Sequence, residues 1–113
     1  MFKRLINNNI AEIKAIDASI ALQSSDAPFL LDVRQPEEFE TARIAGAVLI
    51  PLGQLNAHLD ELPRDREIMC VCHSGSRSVF AARLLADMGF KVVNLRGGMM
   101  AWERARLSVQ SGT

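Results

Sequence analysis

The sequence has few of the residues that disulfide-rich proteins and zinc-binding proteins need. Of its 113 residues only two are cysteines, Cys70 and Cys72. Two cysteines cannot build a disulfide framework, and together with His73 they still lack a fourth ligand for a tetrahedral zinc site. We therefore expect no bound metal and a reduced thiol that is available for chemistry.

The sequence also lacks an excess of either charge and lacks a long apolar run. Thirteen basic residues match thirteen acidic ones, whereas proteins that bind nucleic acids usually carry a basic excess or a basic stripe. No apolar stretch approaches the roughly 20 residues that cross a bilayer. Residues 1–6 lead into Asn7–Asn9 without the apolar segment of a signal peptide. We therefore expect a cytoplasmic protein that binds neither nucleic acid nor a membrane.

The sequence does contain enough apolar residues for one folded domain. Apolar residues make up 49% and charged residues 23% of the chain, which is a balance typical of globular domains. A length of 113 residues suits a single core. We predict an N-terminal arm over residues 1–10, a domain over residues 11–108 and a C-terminal tail over residues 109–113.

The N-terminal arm has two interpretations. If it were helical, one of its faces would be apolar and could dock on a partner protein, since that face would hold Phe2, Leu5 and Ile6. The alternative, which we prefer, is a frayed terminus.

Short apolar runs alternate along the chain with stretches that have helical spacing. The runs predict five strands: Ile13–Ile16, Phe29–Val33, Ala47–Ile50, Glu67–Val71 and Lys91–Leu95. Continuous apolar runs are typical of strands that are buried on both faces of a parallel sheet. We therefore predict an α/β fold with an open, mostly parallel central sheet and helices on both faces. Ligands bind such folds at the carboxyl ends of the strands, and Cys72 falls at one of these ends.

Capping residues and apolar spacing predict five helices. Asp17 is the predicted N-cap of the first, which runs through about Leu22, and Pro36 begins the second. The third helix has leucines at spacings of four and three, namely Leu55, Leu59 and Leu62. The fourth ends at Gly89 and has an apolar face formed by Phe80, Ala81, Leu84, Leu85 and Met88. The last is short, and we expect Met99, Met100 and Trp102 to pack it on the sheet, although methionines near a pocket mouth can also form a soft apolar rim.

The segment Cys72–Arg77, referred to as the cysteine loop, joins a predicted buried strand to the start of a helix. Backbone N–H groups at a helix start have no partner within the helix, so they can converge on one point and bind an anion. A cysteine sulfur at that point has its thiolate form stabilised, and the thiolate is the nucleophile. We expect Cys72 to be catalytic, although it could also be a small apolar residue that ends a strand. Cys70 lies within the apolar run, so we expect it in the core rather than as a resolving thiol.

The other residues of the cysteine loop are candidates for binding a substrate. Gly75 lets the backbone curl, Ser74 and Ser76 offer hydroxyl donors, and Arg77 adds a positive charge. His73 could hydrogen-bond a substrate, but a side chain that faces solvent is the preferred interpretation.

Five motifs resemble those of the rhodanese homology domain and follow the order of that family. They are Leu30-Leu31-Asp32-Val33-Arg34, Pro36-Glu37-Glu38-Phe39, Ile44-Ala45-Gly46-Ala47 with Ile50-Pro51, the cysteine loop, and Gly97-Gly98-Met99 with Ala101-Trp102. The resemblance implies that the Cys72 thiolate attacks thiosulfate or another sulfane-sulfur donor and becomes a persulfide held by the N–H groups of the loop. It further implies that the sulfur passes to cyanide or a thiol, which a partner protein could carry, and that no cofactor is required.

Two sites near the loop allow more than one interpretation. Asp32 and Arg34 match the Asp-x-Arg of the family at the end of the neighbouring strand. Either Arg34 adds positive potential and Asp32 anchors the cysteine loop, or the two form a structural ion pair. The sequence departs from the family where Ala42-Arg43 replaces the usual Gly-His, and Arg43 either takes over the hydrogen bonds of that histidine or faces solvent.

Two other functions stay open. A sulfur-relay or non-enzymatic docking module would pass a persulfide to a partner protein or only bind that protein. Rhodanese-like phosphatases and arsenate reductases resemble this fold but have five residues between cysteine and arginine, whereas four separate Cys72 from Arg77. The shorter loop should suit one sulfur atom better than a tetrahedral oxyanion.

Overall fold

A six-stranded sheet runs through the centre of the computed structural model, which describes residues 5–7 and 9–113. Its strands are β1 (Leu5–Asn7), β2 (Ile10–Ile13), β3 (Phe29–Asp32), β4 (Val48–Leu49), β5 (Ile68–Val71) and β6 (Val92–Leu95). Their order across the sheet is β1-β2-β6-β5-β3-β4. β1 and β2 are antiparallel, and every other neighbouring pair is parallel. The predicted open, mostly parallel sheet is therefore confirmed.

Helices cover both faces of this sheet, as predicted. They are α1 (Ala15–Leu22), α2 (Pro36–Thr41), a 3-10 helical segment (Leu52–Glu61), α3 (Ser76–Asp87) and α4 (Gly98–Arg104). The α3 helix and the 3-10 segment contribute to one apolar cluster, and α1 and α4 contribute to a second. Within residues 5–7 and 9–113, none of the helices has the length and apolar character needed to cross a membrane.

β5 lies between the two apolar clusters and carries the chain to Cys72. Ile68 and Cys70 belong to the first cluster, while Met69 and Val71 belong to the second. This alternation arises because successive strand residues point to opposite faces of a sheet. All four side chains are fully buried, which explains why the strand reads as a continuous apolar run in the sequence.

The structure places the first strand and the first helix earlier than the sequence predicts. β2 covers Ile10–Ile13 rather than residues 13–16, and α1 begins at Ala15 with Lys14 rather than Asp17 as its N-cap. Asp17 instead lies in the first turn of α1, where the helix dipole also favours a carboxylate. The boundary was misassigned because Lys14 makes no side-chain capping hydrogen bond, so no capping residue marks it.

The third predicted helix is a 3-10 segment with a kink. Leu55 is fully buried, as the leucine spacing predicts, whereas Leu62 lies just beyond the segment as its C-cap. His58 has backbone angles outside the helical range, with φ −123° and ψ 17°. The α-helical spacing of the three leucines is therefore interrupted at this residue.

The predicted apolar face of α3 is confirmed only in part. Ala81 and Leu85 are buried, but Phe80 is 71% exposed and Met88 is exposed beyond the end of the helix. The inward positions recur at spacings of three and four and are occupied by Ser78, Val79, Ala81, Ala82 and Leu85. Three of these side chains are small, so α3 lies close to the sheet. Gly89 follows the helix with φ +90°, as expected of the glycine that ends it.

The last helix is anchored mainly by two of the three predicted residues. Met99 and Trp102 are buried in the second apolar cluster, and Trp102 Nε1 donates a hydrogen bond to the carbonyl oxygen of Ser108 (3.0 Å). Met100 is exposed instead, because it lies on the opposite side of this short helix. The prediction is therefore wrong for Met100.

The described part of the N-terminal arm contains β1 and the first residue of β2. β1 pairs with β2 through the register Leu5 to Glu12 and Ile6 to Ala11. A helical face is therefore wrong for Leu5 and Ile6, and β1 is paired rather than frayed. Phe2 lies outside the described residues.

The C-terminal tail is attached to the end of α2 by Arg43. The backbones of Arg43 and Gln110 form an antiparallel bridge. The Arg43 guanidinium donates hydrogen bonds to the carbonyl oxygens of Phe39 (3.2 Å) and Gly112 (2.7 Å). The arginine that departs from the family pattern thus binds the tail instead of merely facing solvent.

Asp32 and Arg34 form a buried ion pair at the end of β3. The Asp32 carboxylate accepts hydrogen bonds from the backbone N–H, Nε and Nη2 of Arg34 at 2.8 to 3.1 Å. Arg34 also donates from Nη2 to the carbonyl oxygen of Ala42 (2.7 Å) and from Nη1 to that of Glu38 (3.3 Å). The pair therefore fastens α2 and the residue after it to the end of a central strand.

Removing one partner of this pair should destabilise the fold strongly. Asp32→Ala leaves the buried Arg34 guanidinium without its counter-ion, so we expect the free energy of unfolding to fall by about 3 to 5 kcal/mol. Urea unfolding measures this loss. Glu61→Ala, which breaks the exposed pair with His58, is the matched control and should cost less than about 1 kcal/mol. An equally small loss for Asp32→Ala would contradict a structural role for the pair.

Candidate functional site

Three hydrogen-bond donors converge on the sulfur of Cys72. The residue follows β5 at the carboxyl edge of the sheet and is fully buried. Its Sγ accepts from the backbone N–H of Gly75 (3.1 Å), the backbone N–H of Ser78 (3.3 Å) and the hydroxyl of Ser78 (3.3 Å). Such donors stabilise a negative charge on sulfur far better than a neutral thiol. The site is therefore built to hold an anionic sulfur.

Gly75 gives the cysteine loop the curl that brings these donors together. It is the N-cap of α3 and has φ +100°, a left-handed conformation that glycine adopts without steric cost. A side chain there would also be crowded, because an added Cβ would lie 3.2 Å from the backbone nitrogen of Gly97. Both constraints require glycine at this position.

The start of α4 holds the other side of the cysteine loop. The backbone N–H groups of Met99 and Met100 donate to the carbonyl oxygens of Cys72 (2.8 Å) and His73 (3.0 Å). This contact is so close that a Cβ on Gly98 would overlap the Cys72 carbonyl oxygen. The Gly97-Gly98 pair of the sequence is thus needed for the approach of α4 to the loop.

Arg77 points to α2 rather than to the sulfur. Its Nη1 and Nη2 donate to Oε1 and Oε2 of Glu38, both at 2.8 Å. These hydrogen bonds from Arg77 lower the pKa of Glu38 from 4.5 to about 2, helped by the backbone N–H of Gln35 and opposed by partial burial. The same pairing raises the pKa of Arg77. The predicted positive charge is thus present at the loop, but a carboxylate orients it.

The remaining predicted loop residues lie at the surface around the buried sulfur. His73, Ser74 and Ser76 are exposed, and the hydroxyl oxygens of Ser74 and Ser76 are 3.3 Å apart. None of these three side chains hydrogen-bonds Cys72 Sγ, whose contacts among the described residues come from Gly75 and Ser78.

Asp32 and Arg34 lie on the neighbouring strand but hydrogen-bond to each other rather than to the cysteine loop. Asp32 is in register with Val71, the last residue of β5 before Cys72. Its carboxylate accepts from Arg34, and Arg34 donates to the backbone at the end of α2. Of the two interpretations drawn from the sequence, this geometry favours the structural ion pair.

Cys70 is a core residue, as predicted. It is fully buried in the first apolar cluster. Burial removes its sulfur from water and raises the pKa of the Cys70 thiol to about 12, with a further contribution from Cys72. A thiol of this kind stays protonated near neutral pH, so Cys70 is not suited to nucleophilic chemistry.

Ser78 was missed by reasoning from the sequence, although it provides two of the three donors to the sulfur. It lies within the first turn of α3, where its backbone N–H is free of helical partners. Ser78 directly follows Arg77 and lies on the inward face of α3, which could have identified it as a neighbour of the sulfur. The sequence analysis assigned the apolar face of α3 incorrectly, so the inward orientation of Ser78 was not recognised.

Comparison with known proteins identifies the family. A candidate sulfurtransferase of Bacillus subtilis, YtwF, is 37% identical over 94 residues, which cover 83% of this chain and 91% of that protein. A candidate sulfur carrier of the same organism, YrkF, is 42% identical over 96 residues, which cover 84% of this chain and 52% of that protein. The crystal structure of a rhodanese-related protein from Thermoplasma volcanium matches with a TM-score of 0.82 at 30% identity, covering 88% of this chain and 96% of that one.

The family model described as the Rhodanese-like domain matches residues 15–105. These residues include every helix and all strands from β3 to β6, together with the cysteine loop. The chain therefore belongs to the family of rhodanese-like domains.

Proposed function

We propose that this chain is a sulfurtransferase that carries a transferable sulfur atom on Cys72 as a persulfide. The observation that supports this proposal best is the convergence of three donors on Cys72 Sγ. A persulfide formed there keeps its negative charge within reach of the same groups. The sulfurtransferase and sulfur-carrier names of the relatives agree with this chemistry.

The first step is attack by the Cys72 thiolate on the outer sulfur of thiosulfate or a related sulfane-sulfur donor. A bond forms between Cys72 Sγ and that sulfur while the bond from that sulfur to the sulfonate sulfur breaks. The electron pair of the broken bond leaves with sulfite, so thiolate and thiosulfate become persulfide and sulfite with no change in total charge. Covalent catalysis of this kind divides the transfer into two easier reactions.

The second step returns the free thiolate. A nucleophile such as cyanide or a thiolate attacks the outer sulfur of the Cys72 persulfide, and the electron pair of the sulfur–sulfur bond returns to Sγ. Thiocyanate or a new persulfide leaves. The two half-reactions predict ping-pong kinetics without a metal or organic cofactor, and they need Cys72 reduced, as it would be in the cytoplasm.

The surroundings of Cys72 limit what can react there. Because the thiol is fully buried, a reacting sulfur has to reach it through the cysteine loop, which suits slender donors. His73, Ser74 and Ser76 are the exposed residues of the loop and would meet a donor first, and Arg77 attracts an anionic donor while Glu38 keeps its guanidinium in place. Sulfur transfer requires the loop to hold one sulfur atom, whereas phosphatase chemistry requires it to hold a whole phosphoryl group, and the four residues between Cys72 and Arg77 favour the smaller group.

A protein can serve as the acceptor in place of a small molecule. Phe80 lies one turn of α3 beyond Ser76 and is 71% exposed, so an apolar side chain stands in the open beside the cysteine loop. Exposed apolar side chains that cluster are typical of surfaces that bind other proteins, and Met100, whose backbone N–H donates to His73 of the loop, is exposed as well. This feature favours a sulfur-relay role as the second candidate function.

Thiosulfate should add one sulfur atom to Cys72 and to no other residue. Wild type incubated with thiosulfate is expected to gain the mass of one sulfur atom in intact-mass spectrometry, and cyanide should remove it. Cys72→Ala should fold and gain nothing, while Cys70→Ala is the matched control and should still load. Failure of wild type to load from thiosulfate, polysulfide or glutathione persulfide would leave only the docking role.

Arg77 should matter for donor binding more than for stability. Arg77→Ala is expected to raise KM for thiosulfate by about tenfold, since a charge-assisted contact to an anion is lost. Arg104→Ala, which removes an exposed arginine from α4, is the control and should leave the kinetics unchanged. Wild-type kinetics in Arg77→Ala would show that Arg77 has no role in binding the donor.

The Arg77–Glu38 pair should make stability depend on pH in the acid range. The folded state lowers the pKa of Glu38 from 4.5 to about 2, so its carboxylate stabilises the fold above pH 4.5 and loses this effect as the pH falls to 2. Wild type should exceed Glu38→Gln in free energy of unfolding by up to about 1 kcal/mol at neutral pH. Urea unfolding should show this difference vanishing near pH 2, and a constant difference would contradict the ion pair.

The length of the cysteine loop predicts that phosphatase activity is absent. A chromogenic aryl phosphate should show no turnover above that of Cys72→Ser. Turnover that Cys72→Ser abolishes would overturn the preference for sulfur transfer.

A further inference from the structure

Asn94 is a polar side chain in a strand that otherwise faces the core. Its neighbours in β6, Val93 and Leu95, belong to the second apolar cluster on the other face of the sheet. Asn94 is fully buried, and its Oδ1 has no hydrogen-bond partner among the described residues. A buried polar atom without a partner costs stability. Packing alone therefore does not explain this amide.

The Asn94 amide links β2 to the cysteine loop. Its Nδ2 donates to Oε2 of Glu12 (2.7 Å) and to the carbonyl oxygen of Gly75 (3.3 Å). Glu12 is itself only 3% exposed, and its Oε1 lies 3.8 Å from Nε of Arg96. If the Asn94 amide were flipped, its Oδ1 would face the oxygens of Glu12 and Gly75, which are both acceptors and cannot donate to it. The two acceptors therefore fix the amide with Nδ2 pointing towards them.

The carbonyl oxygen of Gly75 has more potential donors than it has lone pairs. The backbone N–H of Val79 (3.2 Å), the hydroxyl of Ser78 (3.3 Å) and Nδ2 of Asn94 (3.3 Å) all reach it. A carbonyl oxygen has two lone pairs, and a serine hydroxyl has one proton. The Ser78 hydroxyl lies 3.3 Å from both this oxygen and Cys72 Sγ. When Val79 and Asn94 occupy the oxygen, the Ser78 proton is left for the sulfur.

We propose that Asn94, oriented by Glu12, is a positioning residue that directs the Ser78 hydroxyl to Cys72 Sγ. Without Asn94 the Ser78 proton turns to the carbonyl oxygen of Gly75, and the sulfur loses one of its three donors. The thiolate is then less stabilised and reacts more slowly near neutral pH. The consequence for sulfur transfer rests on the proposed function, whereas the consequence for thiol reactivity does not.

A double-mutant cycle tests this coupling with two readouts. Wild type, Asn94→Ala, Ser78→Ala and the double variant are compared in the rate of Cys72 alkylation by iodoacetamide, assigned by peptide mapping, and in the rate of persulfide loading from thiosulfate. Asn94→Ala is expected to slow both rates about fivefold to tenfold, as for partial loss of a hydrogen bond to a charged group. In the Ser78→Ala background, Asn94→Ala should add no further slowing.

Val93→Ala is the matched control for general destabilisation. It removes a fully buried side chain from the same strand but from the second apolar cluster. It should lower the free energy of unfolding while leaving the alkylation rate within about twofold of wild type, since distant sites act independently.

Slowing by Asn94→Ala that is equally large with and without the Ser78 hydroxyl would overturn the proposal. If Asn94→Ala does not fold, Glu12→Ala serves in its place and should show the same dependence on Ser78, while Glu12→Gln keeps an oxygen acceptor and should restore the rate. A wild type that alkylates but never loads sulfur would refute the sulfurtransferase function, and the alkylation cycle would still decide the role of Asn94.

Discussion

The contact between α4 and the cysteine loop is the constraint on which the site depends. Two backbone hydrogen bonds, from Met99 to Cys72 and from Met100 to His73, fix the beginning of the loop. With that end fixed, the left-handed turn at Gly75 carries the chain back over the sulfur, so that α3 begins with its N–H groups directed at Cys72. The glycine at position 98 permits this contact because a side chain would fill the space that the loop backbone occupies.

Two ion pairs connect the sheet to the charged residue of the loop. The buried pair of Asp32 and Arg34 holds the end of α2, and Arg34 reaches the carbonyl oxygen of Glu38. The Glu38 side chain in turn holds the guanidinium of Arg77. Asp32 and Arg34 thus act on the cysteine loop through α2 rather than by touching it, which reconciles their structural geometry with their place in a family motif.

The sequence was sufficient to predict a mostly parallel sheet, the strand that leads to Cys72 and the N–H groups that converge on it, but it missed β1 and placed β2 three residues too late. The correct predictions follow from local rules, since a continuous apolar run and a strand-to-helix turn define them. The sequence did not reveal the pairing of Arg77 with Glu38 or of Asn94 with Glu12. The residues of the first pair are 39 positions apart and those of the second are 82 positions apart, so no local pattern connects them. Phe80 was misassigned because apolar residues on α3 fit two overlapping faces, and only packing of the small residues against the sheet decided between them.

The two edge strands of the sheet affect the tendency of the protein to aggregate at high concentration. Within the part of the chain that the structure describes, its outermost strands are its shortest, with three residues in β1 and two in β4. Long exposed edge strands act as templates on which a second chain can add by backbone pairing, and short ones limit this. The most deeply buried strands, β3, β5 and β6, lie in the middle of the sheet, so the cysteine loop reaches the surface at the carboxyl end of β5 while the edges of these strands stay paired.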